Sequence, residues 1–134
     1  EYFKCKYPEV IEHEDYVPHK QSLKELCSAN ALLLIIEDGK GSNGIYTGKI
    51  FEYIRTGKPI LAMVPDGVAK DLILNTKTGY VAHPMKYEEI EDMILKSYLN
   101  FINKNNDLNC NWEEIRKYSR ENLTKSLIET IKEI

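Results

Sequence analysis

The stretch Gly41-Ser42-Asn43-Gly44-Ile45-Tyr46-Thr47-Gly48-Lys49-Ile50-Phe51-Glu52-Tyr53-Ile54-Arg55-Thr56-Gly57-Lys58-Pro59-Ile60-Leu61-Ala62-Met63 decides the fold. It reads as a glycine-rich loop, a short helix, a tight turn and a buried strand. Gly57 suits the left-handed position that ends a helix, and Pro59 follows it. Pro59 also opens the next strand, where a missing N–H costs least. Immediately upstream, Ala31 to Ile36 is apolar throughout, as expected for a strand covered on both faces. Strand, glycine-rich loop, helix and strand in that order make a parallel α/β crossover. Ligands of such sheets bind beyond the carboxyl ends of the strands, beside helix N-termini. The loop lies there.

The residues of that helix start suit an anion. Thr47 can cap the helix and leave the N–H groups of Gly48, Lys49 and Ile50 pointing outward, where the helix dipole also favours negative charge. Gly48 lets a ligand approach the backbone. Lys49 adds a mobile cation. Glu52, four residues after Gly48, shares its helix face. A carboxylate there repels phosphate but accepts two hydrogen bonds from a vicinal diol such as ribose. The competing reading is that Lys49, Glu52 and Arg55 form an ordinary solvated helix face.

Thr47-Gly48-Lys49-Ile50-Phe51-Glu52-Tyr53-Ile54-Arg55-Thr56-Gly57-Lys58-Pro59-Ile60-Leu61 resembles the signature of family 4 (group 1) glycosyltransferases. In that family it lies in the nucleotide-sugar-binding, C-terminal domain of the GT-B fold. Asp15-Tyr16-Val17-Pro18-His19 resembles the family's Gly-Tyr-Val-Pro-His loop, with Asp15 replacing glycine. Ser28 to Leu34 resembles its alanine-aspartate-strand segment, with Asn30 replacing aspartate. Thr78-Gly79-Tyr80-Val81 is similar to the next strand entry, and 116–134 to the terminal helix. The resemblance therefore spans nearly the whole chain. It breaks at Gly44, where many members carry the first glutamate of Glu-x7-Glu; Glu52 matches the second. That first glutamate is associated with the donor sugar and catalysis, so no catalytic residue is assigned. Glu37 and Asp38 at the strand end are nearby carboxylates.

The resemblance implies an α/β fold with a Rossmann-like parallel sheet and flanking helices, as an N-terminally truncated GT-B C-terminal half over residues 1–134, with 111–134 as terminal helix. It implies donor ribose on Glu52, donor diphosphate on Thr47, Gly48 and Lys49, and base or sugar near Val17, His19, Glu37 and Gly44. The donor is a nucleotide-sugar, with no cofactor and no metal required. The acceptor belongs to a missing N-terminal domain. The whole enzyme is then a hexosyltransferase of polysaccharide biosynthesis, retaining by family habit. It is expected in the cytoplasm, peripherally at the membrane surface through the missing domain; the fragment alone is expected to be inactive. Two rivals stay open: a GT-B sugar-nucleotide epimerase, and a non-catalytic receiver-like α/β module. A receiver needs an acidic cluster at strand ends, which only Glu37 and Asp38 approach.

Bulk properties agree with a folded domain. The chain has 134 residues, enough for one core. A formal net charge of −3 and a pI of about 5.7 argue against a general nucleic-acid surface. No apolar run approaches the roughly 20 residues of a membrane span. Cys5, Cys27 and Cys110 are odd in number and widely spaced, so they read as free thiols rather than zinc ligands, with Cys27 packed on a helix. Asn122-Leu123-Thr124 is a glycosylation sequon on an expected helix, and reads as a chance match. No Gly-x4-Gly-Lys-[Ser/Thr] loop and no nucleophile–base constellation is present.

The remaining elements follow from periodicity. Gln21 to Ser28 reads as a helix, with Leu23, Leu26 and Cys27 as its apolar stripe. Glu37 to Gly44 holds three glycines and reads as a flexible sugar-binding loop. Asp66 is placed to cap a helix ending near Leu74. Met85 to Asn103 reads as a long helix with Ile90, Met93, Ile94, Tyr98 and Phe101 along one face. Asn111 with Glu114 forms a capping-box-like start. Leu123, Leu127, Ile131 and Ile134 give the last apolar stripe. Three parallel strands are expected, Ala31–Ile36, Pro59–Val64 and Gly79–Ala82. Val10 to His13 reads as a fourth, short strand that has lost its neighbours. The strand at Ala31–Ile36 should then expose an unpaired edge and promote self-association.

Overall fold

The computed structural model describes residues 2–105 and 108–133. The elements in order are α1 (Tyr2–Lys6), α2 (His19–Ser28), β1 (Leu32–Ile35), a 3-10 turn (Ser42–Gly44), α3 (Gly48–Thr56), β2 (Ile60–Met63), α4 (Val68–Thr76), β3 (Gly79–Ala82), α5 (Tyr87–Ile102), α6 (Trp112–Lys117) and α7 (Arg120–Lys132). The strands form a three-stranded parallel sheet in the order β1-β2-β3. Leu32 lies beside Ile60, which lies beside Gly79. This is an α/β sheet with flanking helices, compatible with a Rossmann-like arrangement.

The core lies on one face of the sheet. Leu34, Ile36, Ile60, Ala62 and Val64 pack there against Ile50 and Ile54 of α3, Ala69, Leu72 and Ile73 of α4, and Ile115 of α6. Ile50 and Ile54 are four residues apart, so one stripe of α3 enters the core. The helix stops at Gly57, whose φ of 68° is left-handed, as its position before Lys58-Pro59 predicts. Gly79 is demanded by packing: an added Cβ would stand 2.1 Å from the Ile60 carbonyl oxygen.

The opposite face is covered unevenly. Met93 of α5 is buried on it, as is Ala82 of β3. Across the sheet at β1, Leu33 is 52% and Ile35 56% exposed. The expectation of a strand covered on both faces is therefore wrong for β1. Its burial alternates, because no described helix covers Leu33 and Ile35. The expected α5 stripe is also only partly used: Ile94, Tyr98 and Phe101 are exposed.

Other expectations are corrected by local competition for hydrogen bonds. Val10 to His13 is not a strand. The N–H groups of Val10 and Ile11 turn back to the Tyr7 carbonyl instead, so these residues join no ladder. Asp66 does not cap α4; Gly67 holds that position and the Asp66 carboxylate pairs with Lys70 at 2.6 Å. The terminal helix is broken into α6 and α7, and Ser119 caps the second by accepting the Asn122 N–H at 3.2 Å. No residue of α7 is buried, and Leu123, Leu127 and Ile131 are exposed; Ile134 lies outside the described residues. Cys27 is exposed rather than packed. The start of α6 is as expected, with Asn111 Oδ1 accepting the Glu114 N–H at 3.2 Å.

Candidate functional site

Parallel strands feed their connecting loops to one end of the sheet. The loop after β1 reaches α3, the loop after β2 reaches α4, and the loop after β3 reaches α5. At this end the 37–44 loop is not an open coil. Ser42 is buried, its Oγ donates to the Gly39 carbonyl at 2.8 Å, and the Gly39 N–H donates back to Oγ at 3.2 Å. Gly67, at φ 145°, sits against this loop so tightly that a Cβ would stand 2.2 Å from the Asn43 carbonyl oxygen. The loop is thus built by its serine and packed against the turn after β2.

The start of α3 differs in one respect from expectation. Thr47 has the backbone conformation of an N-cap, but its side chain caps nothing. Its Oγ1 is buried without a partner. The Ile50 N–H is not free either; it donates to the Thr47 carbonyl at 3.1 Å. That leaves the N–H groups of Gly48 and Lys49, for which no acceptor is found among the described residues. Gly48 faces open space, with nothing within 4 Å of an added Cβ, so this chain's own packing does not require glycine there.

Glu52 lies one turn further along α3. His19, the first residue of α2, places Nε2 2.8 Å from Glu52 Oε1 across 33 positions of sequence. Both side chains remain accessible, at 69% for His19 and 38% for Glu52. The contact ties the Val17-Pro18-His19 loop to α3 and occupies one carboxylate oxygen, leaving Oε2 for another donor. Tyr53 beside it has its phenol pushed above its ordinary range, first by burial and second by the Glu52 charge.

The other expected site residues are less closely joined. Val17 is half-buried just before α2, and Glu37 and Gly44 are exposed. No hydrogen bond or ion pair links Glu37 or Gly44 to Glu52, Lys49 or His19 among the described residues. Asp38 points elsewhere: its Oδ2 lies 3.7 Å from His83 Nε2.

His83, immediately after β3, was not singled out from sequence. The Met85 N–H donates to its Nδ1 at 3.3 Å, so in the neutral ring the proton sits on Nε2, toward Asp38. Its own N–H donates to Glu89, which also pairs with Lys86 at 2.7 Å. The Glu89 carboxyl is held below its ordinary range, first by the Lys86 hydrogen bond and then by the His83 N–H. These groups line a polar cavity of about 120 Å³ with Asp66 and Lys70. The sequence signal was only a histidine at a strand's carboxyl end.

A larger cavity, of about 540 Å³, lies at the other end of the strands, where Asn30, Ala31, Lys58 and Pro59 enter the sheet beside Tyr80 and Tyr98. Size favours it, but the open amides and the Glu52 carboxylate are at the carboxyl end, where parallel sheets bind ligands. We therefore place the site at α3.

No protein-family model, curated protein or solved structure matches the chain. No helix of the described residues is long and apolar enough to cross a membrane.

Proposed function

We propose that this chain binds the nucleotide-sugar donor of a glycosyltransferase, for transfer to an acceptor held by another domain. The observation that carries the reading is the start of α3. Two outward N–H groups, a lysine and an unobstructed Gly48 stand one turn from a carboxylate held by His19. Amides and Lys49 suit a diphosphate; Glu52 suits the ribose diol beside it. The motif around Gly57-Lys58-Pro59 supports the same assignment, because it resembles the family 4 signature.

In this reading the protein acts by holding charge. As the glycosidic bond to the donor phosphate breaks, negative charge grows on the leaving diphosphate. The amides of Gly48 and Lys49 and the Lys49 ammonium stabilise it without reorganising. No metal is needed for that step. The rim residues Val17, His19, Glu37 and Gly44 surround the base or sugar.

Calorimetric titration with UDP, GDP and ADP, and with the matching nucleosides, tests the proposal. One diphosphate should bind. Glu52→Gln should weaken it by about ten- to a hundredfold, the worth of a hydrogen bond to a charged acceptor. Lys49→Ala should weaken the diphosphate more than the nucleoside. Absence of binding by all three diphosphates, or equal losses for diphosphate and nucleoside, overturns the assignment.

A further inference from the structure

The outer edge of β1 is chemically self-complementary, and we propose that it pairs antiparallel with the same edge of a second copy of this chain. Among the described residues β1 ends the sheet and has only β2 as a neighbour. Leu32 donates its N–H to the Pro59 carbonyl at 2.8 Å, and Ile36 donates to Met63 at 2.9 Å. In a parallel ladder alternate residues make the bonds. Leu32, Leu34 and Ile36 therefore face β2, and the N–H and C=O groups of Leu33 and Ile35 face outward. Those two side chains also lie on the bare face of the sheet, 52% and 56% exposed.

Strand edges that face solvent ordinarily carry a lysine, a proline, an inward charge or a bulge, which discourage pairing. From Ala31 to Ile36 this edge carries none of them. A strand, rather than a helix or a small molecule, satisfies outward N–H and C=O groups at this spacing. A two-fold axis normal to the sheet, midway between the Leu34 residues of the two copies, sets Leu33 of one copy opposite Ile35 of the other, in both directions. Such pairs exchange both backbone bonds, so every outward group is matched. Ala31 then meets Glu37 of the second copy, and no like charges face each other. The Leu33 and Ile35 side chains of both copies lie on one continuous face. One sheet runs through both copies.

The test is light scattering with size exclusion on the full chain, from low to high protein concentration, combined with amide exchange. The mass should rise twofold with concentration, and the amides of Leu33 and Ile35 should slow as it does. Ile35→Pro removes an outward N–H but no ladder bond to β2. Ile35→Lys places a charge on the edge. Both should stay monomeric with an unchanged circular dichroism spectrum. If the proline variant melts early, the lysine variant carries the test alone. A monomer at every concentration overturns the proposal. So does a dimer whose Leu33 and Ile35 amides exchange as in the monomer, which would mean another surface or another partner's strand belongs there.

Discussion

The contact between His19 and Glu52 shows how little a single exposed pair contributes to stability and how much it can contribute to a site. Both partners are accessible, and such pairs contribute about 0–1 kcal/mol. His19→Ala should therefore leave the melting temperature nearly unchanged. It should still weaken nucleoside diphosphate binding, by about threefold to tenfold, because the carboxylate loses the group that orients it. Tighter binding would show that His19 competes with the ribose. Glycines make the complementary contrast. Gly48→Ala meets open space, so the fold should be unaffected while ligand affinity falls. Gly67→Ala meets the Asn43 backbone at 2.2 Å in a conformation reserved for glycine, and should destabilise by about 1–3 kcal/mol or more. Chemical denaturation of the two variants measures the difference. Glu52, Gly48 and Lys49 were legible in the sequence because they belong to one helix turn. The partner of Glu52 was not, since a contact across 33 positions needs the chain to fold first.

At the scale of elements, caps and helix boundaries are where local chemistry and tertiary demands meet. Asn111 satisfies the Glu114 N–H and so starts the short α6, which carries Ile115 into the core. Asn111→Ala should cost about 0.5–2 kcal/mol, a helix-cap value, read from the denaturant midpoint. The region packed around α6 also sets an alkaline limit. Burial pushes Cys110, Tyr118 and Tyr53 above their ordinary ranges. The unfolded chain then releases these protons first as pH rises. The stability they contribute is full below their ordinary values of 9.0 for the thiol and 10.0 for the phenols, and is lost above them. Thermal melts from neutral pH upward should decline from about pH 9. A flat profile to pH 11 would mean these groups are hydrated in the native state. Asn111's role was readable because a cap is a local pattern. The break between α6 and α7 was not read: Tyr118-Ser119 carries no glycine or proline, and the Ser119 cap competes with helix continuation.

The whole molecule rests on one buried layer between the sheet and α3, α4 and α6. Ile54 is fully enclosed there. Ile54→Ala should cost about 2–5 kcal/mol, much of what a small domain has, and its unfolding transition should fall accordingly. Leu33→Ala, on the bare face, should cost far less in a monomer. Equal losses would mean that the two faces are equally buried in solution.

The amino-acid sequence by itself determined the order of elements and the parallel sheet. An apolar run, a glycine-rich loop, a helical stripe and a Gly-Lys-Pro turn each act within a few residues. It also placed the open edge at the Ala31–Ile36 strand and the start of the next helix at Gly48 and Lys49. Only the tertiary structure decided which face of that strand is buried. Leu32, Leu34 and Ile36 are as apolar as Leu33 and Ile35, so the run has no alternation to read; the packing of Leu34 and Ile36 against α3, α4 and α6 sets the parity. Tertiary structure likewise decided that Val10 to His13 forms no strand. Its residues suit one, but a strand exists only where a neighbour completes its hydrogen bonds, and nothing within those four residues specifies a neighbour.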